Sequence, residues 1–354
     1  MRMKQIDGLR FWACMVILAD HCRVLGLRYQ GGIMVSLFFV LSGFFIANPQ
    51  KQDGEERFLS IRGWGNFYLM RIVRIVPMHW FALILVSVLF KDSFTGTRLL
   101  RLMFFMEGWR HLWFLTHEML CYLIIPVVML AAALLKRRLK VKNIWLCAGF
   151  LVFSVMLHIY LYRITSFRLL NQPFRLDLFV LGISFGYLCK SGILKTIRRR
   201  SISLTADLVG VLLILSVYFT TDHVLAHLNP ALSGYQVGWE RPWLCGFLGG
   251  IMILLLVYNP NGLVSRFFSL PWFVRLGQAS YGIYILHYYY FMMDPWPFVA
   301  YMRNFIANVL VSCCVAVVFF EWIEEPLYRN VKKLIAGSSG KKNRPGIDME
   351  RRTC

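Results

Sequence analysis

Apolar stretches close to or above 20 residues recur along the whole of this 354-residue chain. That recurrence constrains the fold more than any single motif. A bilayer core takes about 20 helical residues to cross. No water inside it satisfies backbone N–H and C=O groups, so each spanning segment must close its own hydrogen bonds. Hydrophobic residues make up 58% of the chain and charged residues 16%. A large soluble core would need long mixed loops and amphipathic helices, and those are mostly missing. The expectation is an all-α polytopic protein of the inner (cytoplasmic) membrane.

The expected spans are roughly 8–27, 33–48, 67–90, 112–135, 144–162, 174–190, 203–221, 242–258, 272–293 and 298–323, about ten in all. The first is not expected to be a removable leader, since no small-residue cleavage site follows it. Basic residues cluster in alternate connections. Lys51, Arg57 and Arg62 follow the second span, Lys136, Arg137 and Arg138 the fourth, and Arg198, Arg199 and Arg200 the sixth. The positive-inside rule then places both termini in the cytoplasm. Residues 1–330 read as one transmembrane domain. Residues 331–354 read as a basic, disordered cytoplasmic tail, polar and Gly/Pro-rich from Gly337 onward.

The formal net charge of +21 invites a nucleic-acid reading. Anionic lipid headgroups already account for basic cytoplasmic loops, and there is no zinc-finger spacing or helix-turn-helix, so no nucleic-acid partner is expected. The nine cysteines form no CxxC. They read as apolar packing residues, with neither a structural disulfide nor a metal cluster.

Polar groups inside apolar spans need a reason. Arg10 and His21 share the first span, RFWACMVILADH. Eleven residues bring them to nearly one helix face, about 16 Å apart along the axis. Asp7 can pair with Arg10. Arg10 reads either as a snorkelling anchor or as part of a polar track. His21 reads either as an interhelical hydrogen-bond partner or as a general base, since neutral imidazole suits proton removal from a hydroxyl. Ser42 and Gly43 interrupt the second span, where small residues let a helix or a threaded ligand approach the backbone.

Arg71 and Arg74 share a face at the start of the third span. They suit a phosphate-rich ligand as well as a basic flank. In HLWFLTHEMLCY, Glu118 and Tyr122 share a face beside His117. The carboxylate needs a cation, a donor or water, and orienting His21 or binding an acceptor hydroxyl are both open to it. Tyr284 and His287 form a stripe that fits either a sugar-sized groove or interfacial packing. Glu324 and Glu325 are placed to pair with Arg71 or Arg74.

Taken together, these segments resemble the acyltransferase-3 family of integral membrane O-acyltransferases. The motifs are IDGLR with the Arg10-to-His21 spacing, FFVLSGFFIA, RIVRIVP, LWFLTHEMLCY, LGQASYGIYILH and EEPLYR, in that order. The resemblance implies transfer of an acyl group, most often acetyl, from cytoplasmic acyl-CoA to a hydroxyl on an extracytoplasmic glycan or lipid-linked sugar. It implies catalytic roles for His21, Glu118 and Arg10. Arg10, Arg71, Arg74, Ser42 and Gly43 would hold acyl-CoA, and no metal is implied. His117, Tyr122, Tyr284 and His287 would meet the acceptor. Phe114 at a common serine position and the unusual His117 leave the acceptor and the acyl group open. No esterase-like domain follows the spans, so a stand-alone member is expected. The oligomeric state is not read from the sequence. A transporter or flippase of lipid-linked glycans, without acyl transfer, is the competing reading.

Overall fold

The computed structural model describes residues 3–24, 26–47, 50, 54–89, 95–166, 168–169, 172–197, 199–293 and 300–340. Its α-helices are α1 (Lys4–His21), α2 (Gly31–Ala47), α3 (Ile61–Leu89), α4 (Gly96–Met103), α5 (Trp113–Leu139), α6 (Asn143–His158), α7 (Leu176–Lys190) and α8 (Arg200–Phe219). They continue as α9 (Asp222–Leu228), α10 (Val237–Glu240), α11 (Pro242–Tyr258), α12 (Leu263–Phe268), α13 (Pro271–Gln278), α14 (Ser280–Met293), α15 (Ala300–Phe319) and α16 (Glu325–Gly340). A two-residue antiparallel ladder pairs Arg168–Leu169 with Gln172–Pro173. The protein is thus an essentially all-α, multi-pass membrane protein.

Five helical segments among the described residues are long and apolar enough to cross a bilayer: Ile61–Leu89, Arg110–Leu139, Asn143–Ile164, Arg200–Phe219 and Phe305–Ala336. This corrects the expectation of ten. The other expected spans form shorter or more highly charged helices. α2 and α11 have 17 residues each, α7 has 15 and α14 has 14. α1 has 18 but carries Lys4, Asp7, Arg10 and Asp20. Much of their apolarity faces protein. Nearly every residue of α2 and α7 is buried, whereas α8 exposes a row of large aliphatic side chains that includes Leu204, Leu208 and Leu212. The expected span 272–293 is divided at Ala279, where α13 ends and α14 begins. The expected tail begins inside α16, and residues 341–354 lie outside the described residues.

Glycines set how closely the inner helices approach. A Cβ on Gly43 of α2 would overlap the backbone of Phe179 on α7, and one on Gly182 would overlap that of Val40. Gly8 of α1 meets the backbone of Phe268 in the same way, and Gly277 of α13 meets that of Asp7. Small residues at such crossings let backbones touch and gain dispersion contact that lipid tails cannot match. α2 is thereby fixed on α7, and α1 on α12 and α13; the end of α7 is locked by charge. Glu55, fully buried, accepts hydrogen bonds at 2.6 Å from both Lys136 and Lys190. A buried carboxylate is tolerated there because two cations satisfy it.

Candidate active site

Five helices bring four of the five expected donor-binding residues, Arg10, Ser42, Arg71 and Arg74, together with Glu118 and with two residues expected to meet the acceptor, Tyr122 and Tyr284. Arg10 from α1, Ser42 from α2, Arg71 and Arg74 from α3, Glu118 and Tyr122 from α5, and Tyr284 from α14 line one inner chamber. It offers about 50 Å³, room for about four waters. Phe38, Phe114 and Ile75 supply apolar wall. Arg10 lies within electrostatic reach of Arg74, Asp7 and Glu118. Buried Glu324 faces the same pair, Arg74 and Arg10, while Glu325 turns away to bond Arg329 at 2.6 Å.

Glu118 is held from two sides. Ser42 Oγ donates to its Oε1 at 2.6 Å, and the Tyr122 hydroxyl donates to the same oxygen at 2.9 Å. Arg71 lies over the Tyr122 ring, 4.9 Å from its centroid. The carboxylate therefore sits among the arginines and does not line the chamber that contains His21. Two other tyrosine hydroxyls of the inner chamber are also committed. Tyr281 donates to Ile75 O at 2.9 Å, and Tyr284 donates to His111 O at 2.7 Å. Arg10 Nε, Arg71 Nε and Ser280 Oγ are buried without a hydrogen-bond partner. They are among the donors open to a ligand here.

His21, the last residue of α1, is exposed and lines a second, outer chamber of about 720 Å³. Tyr284 lines both chambers. Its ring is the shared wall, packed against Phe38 and Phe114 on one side and His111 and His287 on the other. The His21 ring lies 5.1 Å from that of His287 and 5.5 Å from that of Tyr288. A carbonyl can only accept, so His287 Nδ1–H donates to Tyr284 O at 2.5 Å. Asn308 in turn donates to His287 O at 2.9 Å. An imidazole at the chamber surface, backed by ordered rings, can take a proton from a bound hydroxyl.

Three predicted residues stand elsewhere. Gly43 serves the α2–α7 crossing and lines neither chamber. His117 is buried edge-on between Trp113 and Phe174. His287 is fully buried behind His21 and does not line the outer chamber. Sequence reasoning missed Arg23, Arg28, Arg110 and Trp239, which line the outer chamber. Arg23 lies only two residues beyond His21, and Arg110 directly precedes the HLWFLTHEMLCY segment, so proximity in sequence was the available signal. Among the described residues, no group of three or more His, Cys, Asp or Glu side chains could hold a metal ion.

The chain is similar to O-acetyltransferase OatA of Staphylococcus aureus strain MRSA252, at 24% identity over 395 aligned residues, covering 96% of this chain and 59% of the relative. The protein of the same name from strain NCTC 8325 is 24% identical over 388 residues, covering 94% and 58%. The chain thus spans a little over half the length of these curated relatives. No solved structure matches it. The profile of the acyltransferase domain family matches residues 3–323, nearly the whole described bundle and every residue of both chambers, and the chain therefore belongs to the acyltransferase-3 family of membrane enzymes.

Proposed function

We propose that this protein is a membrane O-acyltransferase. It moves an acyl group, acetyl first among candidates, from cytoplasmic acyl-CoA to a hydroxyl of an extracytoplasmic glycan or lipid-linked sugar. The observation that carries the reading is the position of Tyr284, shared by an arginine-rich inner chamber and the chamber of His21. Family membership and the relatives' names support the chemical class. In this reading both termini face the cytoplasm.

The acyl-CoA phosphates meet Arg71 and Arg74, whose guanidinium groups present forked donors. The narrow chamber admits the thin thioester end of the donor. The acceptor fills the wide outer chamber, its hydroxyl against His21. His21 takes the hydroxyl proton as the oxygen attacks the thioester carbonyl. The C–S bond then breaks, and the departing CoA sulfur receives the proton from the imidazolium, leaving ester and thiol. The hydroxyls of Tyr122, Tyr281 and Tyr284 all donate elsewhere. Arg10 lines the inner chamber and not that of His21, so it joins Arg71 and Arg74 in holding the donor. Glu118, tied to Ser42 and Tyr122, organises the donor chamber rather than the His21 tautomer.

The purified protein, incubated with acetyl-labelled acetyl-CoA and a panel of oligosaccharides, tests this. Label should reach an acceptor with release of CoA thiol, and His21→Ala should abolish both. Movement of glycan across a membrane with no thiol release would instead establish transport.

A further inference from the structure

Basic residues are ordinarily sparse on the extracytoplasmic side of a membrane protein. The outer chamber departs from this. Arg23 and Arg28 from the α1–α2 connection and Arg110 from the turn before α5 all line it, beyond the end of α1 remote from Lys4. Two arginines of α4, the helix before the turn that carries Arg110, are by contrast paired. Arg98 pairs with Glu107 at 2.8 Å and Arg101 with the same carboxylate at 4.0 Å. The three chamber arginines make no salt bridge among the described residues. Arg28 donates to the Tyr29 hydroxyl at 2.5 Å, and Arg110 to the Tyr288 hydroxyl at 3.2 Å.

The one carboxylate lining the chamber, Asp20, is already engaged. It accepts the backbone N–H of Tyr29 at 2.5 Å and that of Gly31 at 2.9 Å. Those two bonds hold the connection that carries Arg23 and Arg28. The lining therefore has three cations against one anion with a structural task, a net charge of +2. Trp113, Trp239 and Tyr288 add aromatic faces in the same chamber. Rings of this kind stack on sugar faces, while guanidinium groups grip carboxylate or phosphate oxygens in pairs.

We propose that the outer chamber selects an anionic saccharide, one whose carboxylate or phosphate lies on or beside the sugar that bears the acylated hydroxyl. This rests on the acyl-transfer reading above and specifies its acceptor. The arginines line the chamber that holds His21, so they fix the anionic group and thereby the hydroxyl presented to the imidazole. The positive field also raises the local concentration of such acceptors and makes their binding salt-sensitive.

Two tryptophans in the chamber provide a binding readout independent of turnover. Their fluorescence in the full-length protein in lipid nanodiscs is titrated with three oligosaccharides of equal length: neutral, uronate-bearing and phosphate-bearing. At least one acidic ligand should bind about tenfold or more tightly than the neutral one, weakening with added salt. Which acidic ligand binds better identifies the anionic group. Arg28→Gln and Arg110→Gln should each lose most of that preference while leaving neutral-sugar binding unchanged. His21→Ala should keep the preference while losing acetyl transfer. Equal binding of neutral and acidic ligands, or a preference that survives both arginine substitutions, overturns the proposal. Selective binding of acidic sugars with no transfer by the intact protein leaves the selectivity standing and removes the enzyme reading.

Discussion

Replacing Ser42 by Ala removes the 2.6 Å hydrogen bond that joins α2 to Glu118 on α5. Glu118 Oε1 then keeps only the Tyr122 hydroxyl, at 2.9 Å within its own helix. Hydrogen bonds to charged groups contribute about 1.5–3 kcal/mol in water-soluble proteins. Interhelical side-chain bonds in membranes average about 0.6 and reach about 1.7 kcal/mol. Glu118 is buried at 7% exposure, while Ser42 keeps some access to the chamber. These together place the Ser42–Glu118 coupling at about 1–2 kcal/mol.

A double-mutant cycle of Ser42→Ala and Glu118→Met, read by unfolding in detergent micelles, isolates that term. Glu118→Gln supplies the functional arm. A carboxylate that organises the arginines should, when neutralised, weaken acetyl-CoA binding about tenfold and affect turnover of saturated enzyme less. A carboxylate that orients His21 would do the reverse. A coupling below about 0.3 kcal/mol, or a loss confined to turnover, refutes the placement of Glu118 in the donor chamber.

Two other outcomes are expected. Gly43→Ala should destabilise the protein by about 1–3 kcal/mol through overlap with the α7 backbone, whereas Gly149→Ala, which meets nothing within 4 Å on α6, should stabilise it by about 0.5–1 kcal/mol. Thermal melts of the two variants side by side check the pair. Arg71→Gln and Arg74→Gln should each raise the KM for acetyl-CoA about tenfold, the cost of about one charge-assisted contact, and leave the acceptor KM unchanged; steady-state kinetics with each substrate varied in turn would show the opposite split if these arginines served the acceptor.

Much of this arrangement was legible in the chain, and the reason is helical periodicity. The spacing of Arg10 and His21 placed them on one face at opposite ends of a track, and they do line adjoining chambers. Arg71 with Arg74, and Glu118 with Tyr122, also converge as three- and four-residue spacing requires. Periodicity within a helix says nothing about which other helix it meets. That is why Ser42, not His21, proved to be the partner of Glu118. Hydropathy likewise cannot tell lipid from a protein interior of equal polarity. α2 is apolar because it is packed on α7 and α11, so its composition read as a span. The division at Ala279 was hidden because short, amphipathic α13 runs directly into apolar α14, so the two read as one stretch. Arg23 lay inside the expected first span, and Arg28 and Arg110 lay in connections judged by their totals; a count does not show that the three meet in one chamber.

The most direct test of the account is transfer across a sealed membrane. Proteoliposomes are loaded with the oligosaccharide acceptor, and acetyl-labelled acetyl-CoA is supplied only outside. The account predicts labelled ester on the enclosed acceptor, CoA thiol outside in equal amount, and neither with His21→Ala. Label appearing only when donor and acceptor share one compartment, or persisting without His21, would contradict a route that joins the two chambers at Tyr284.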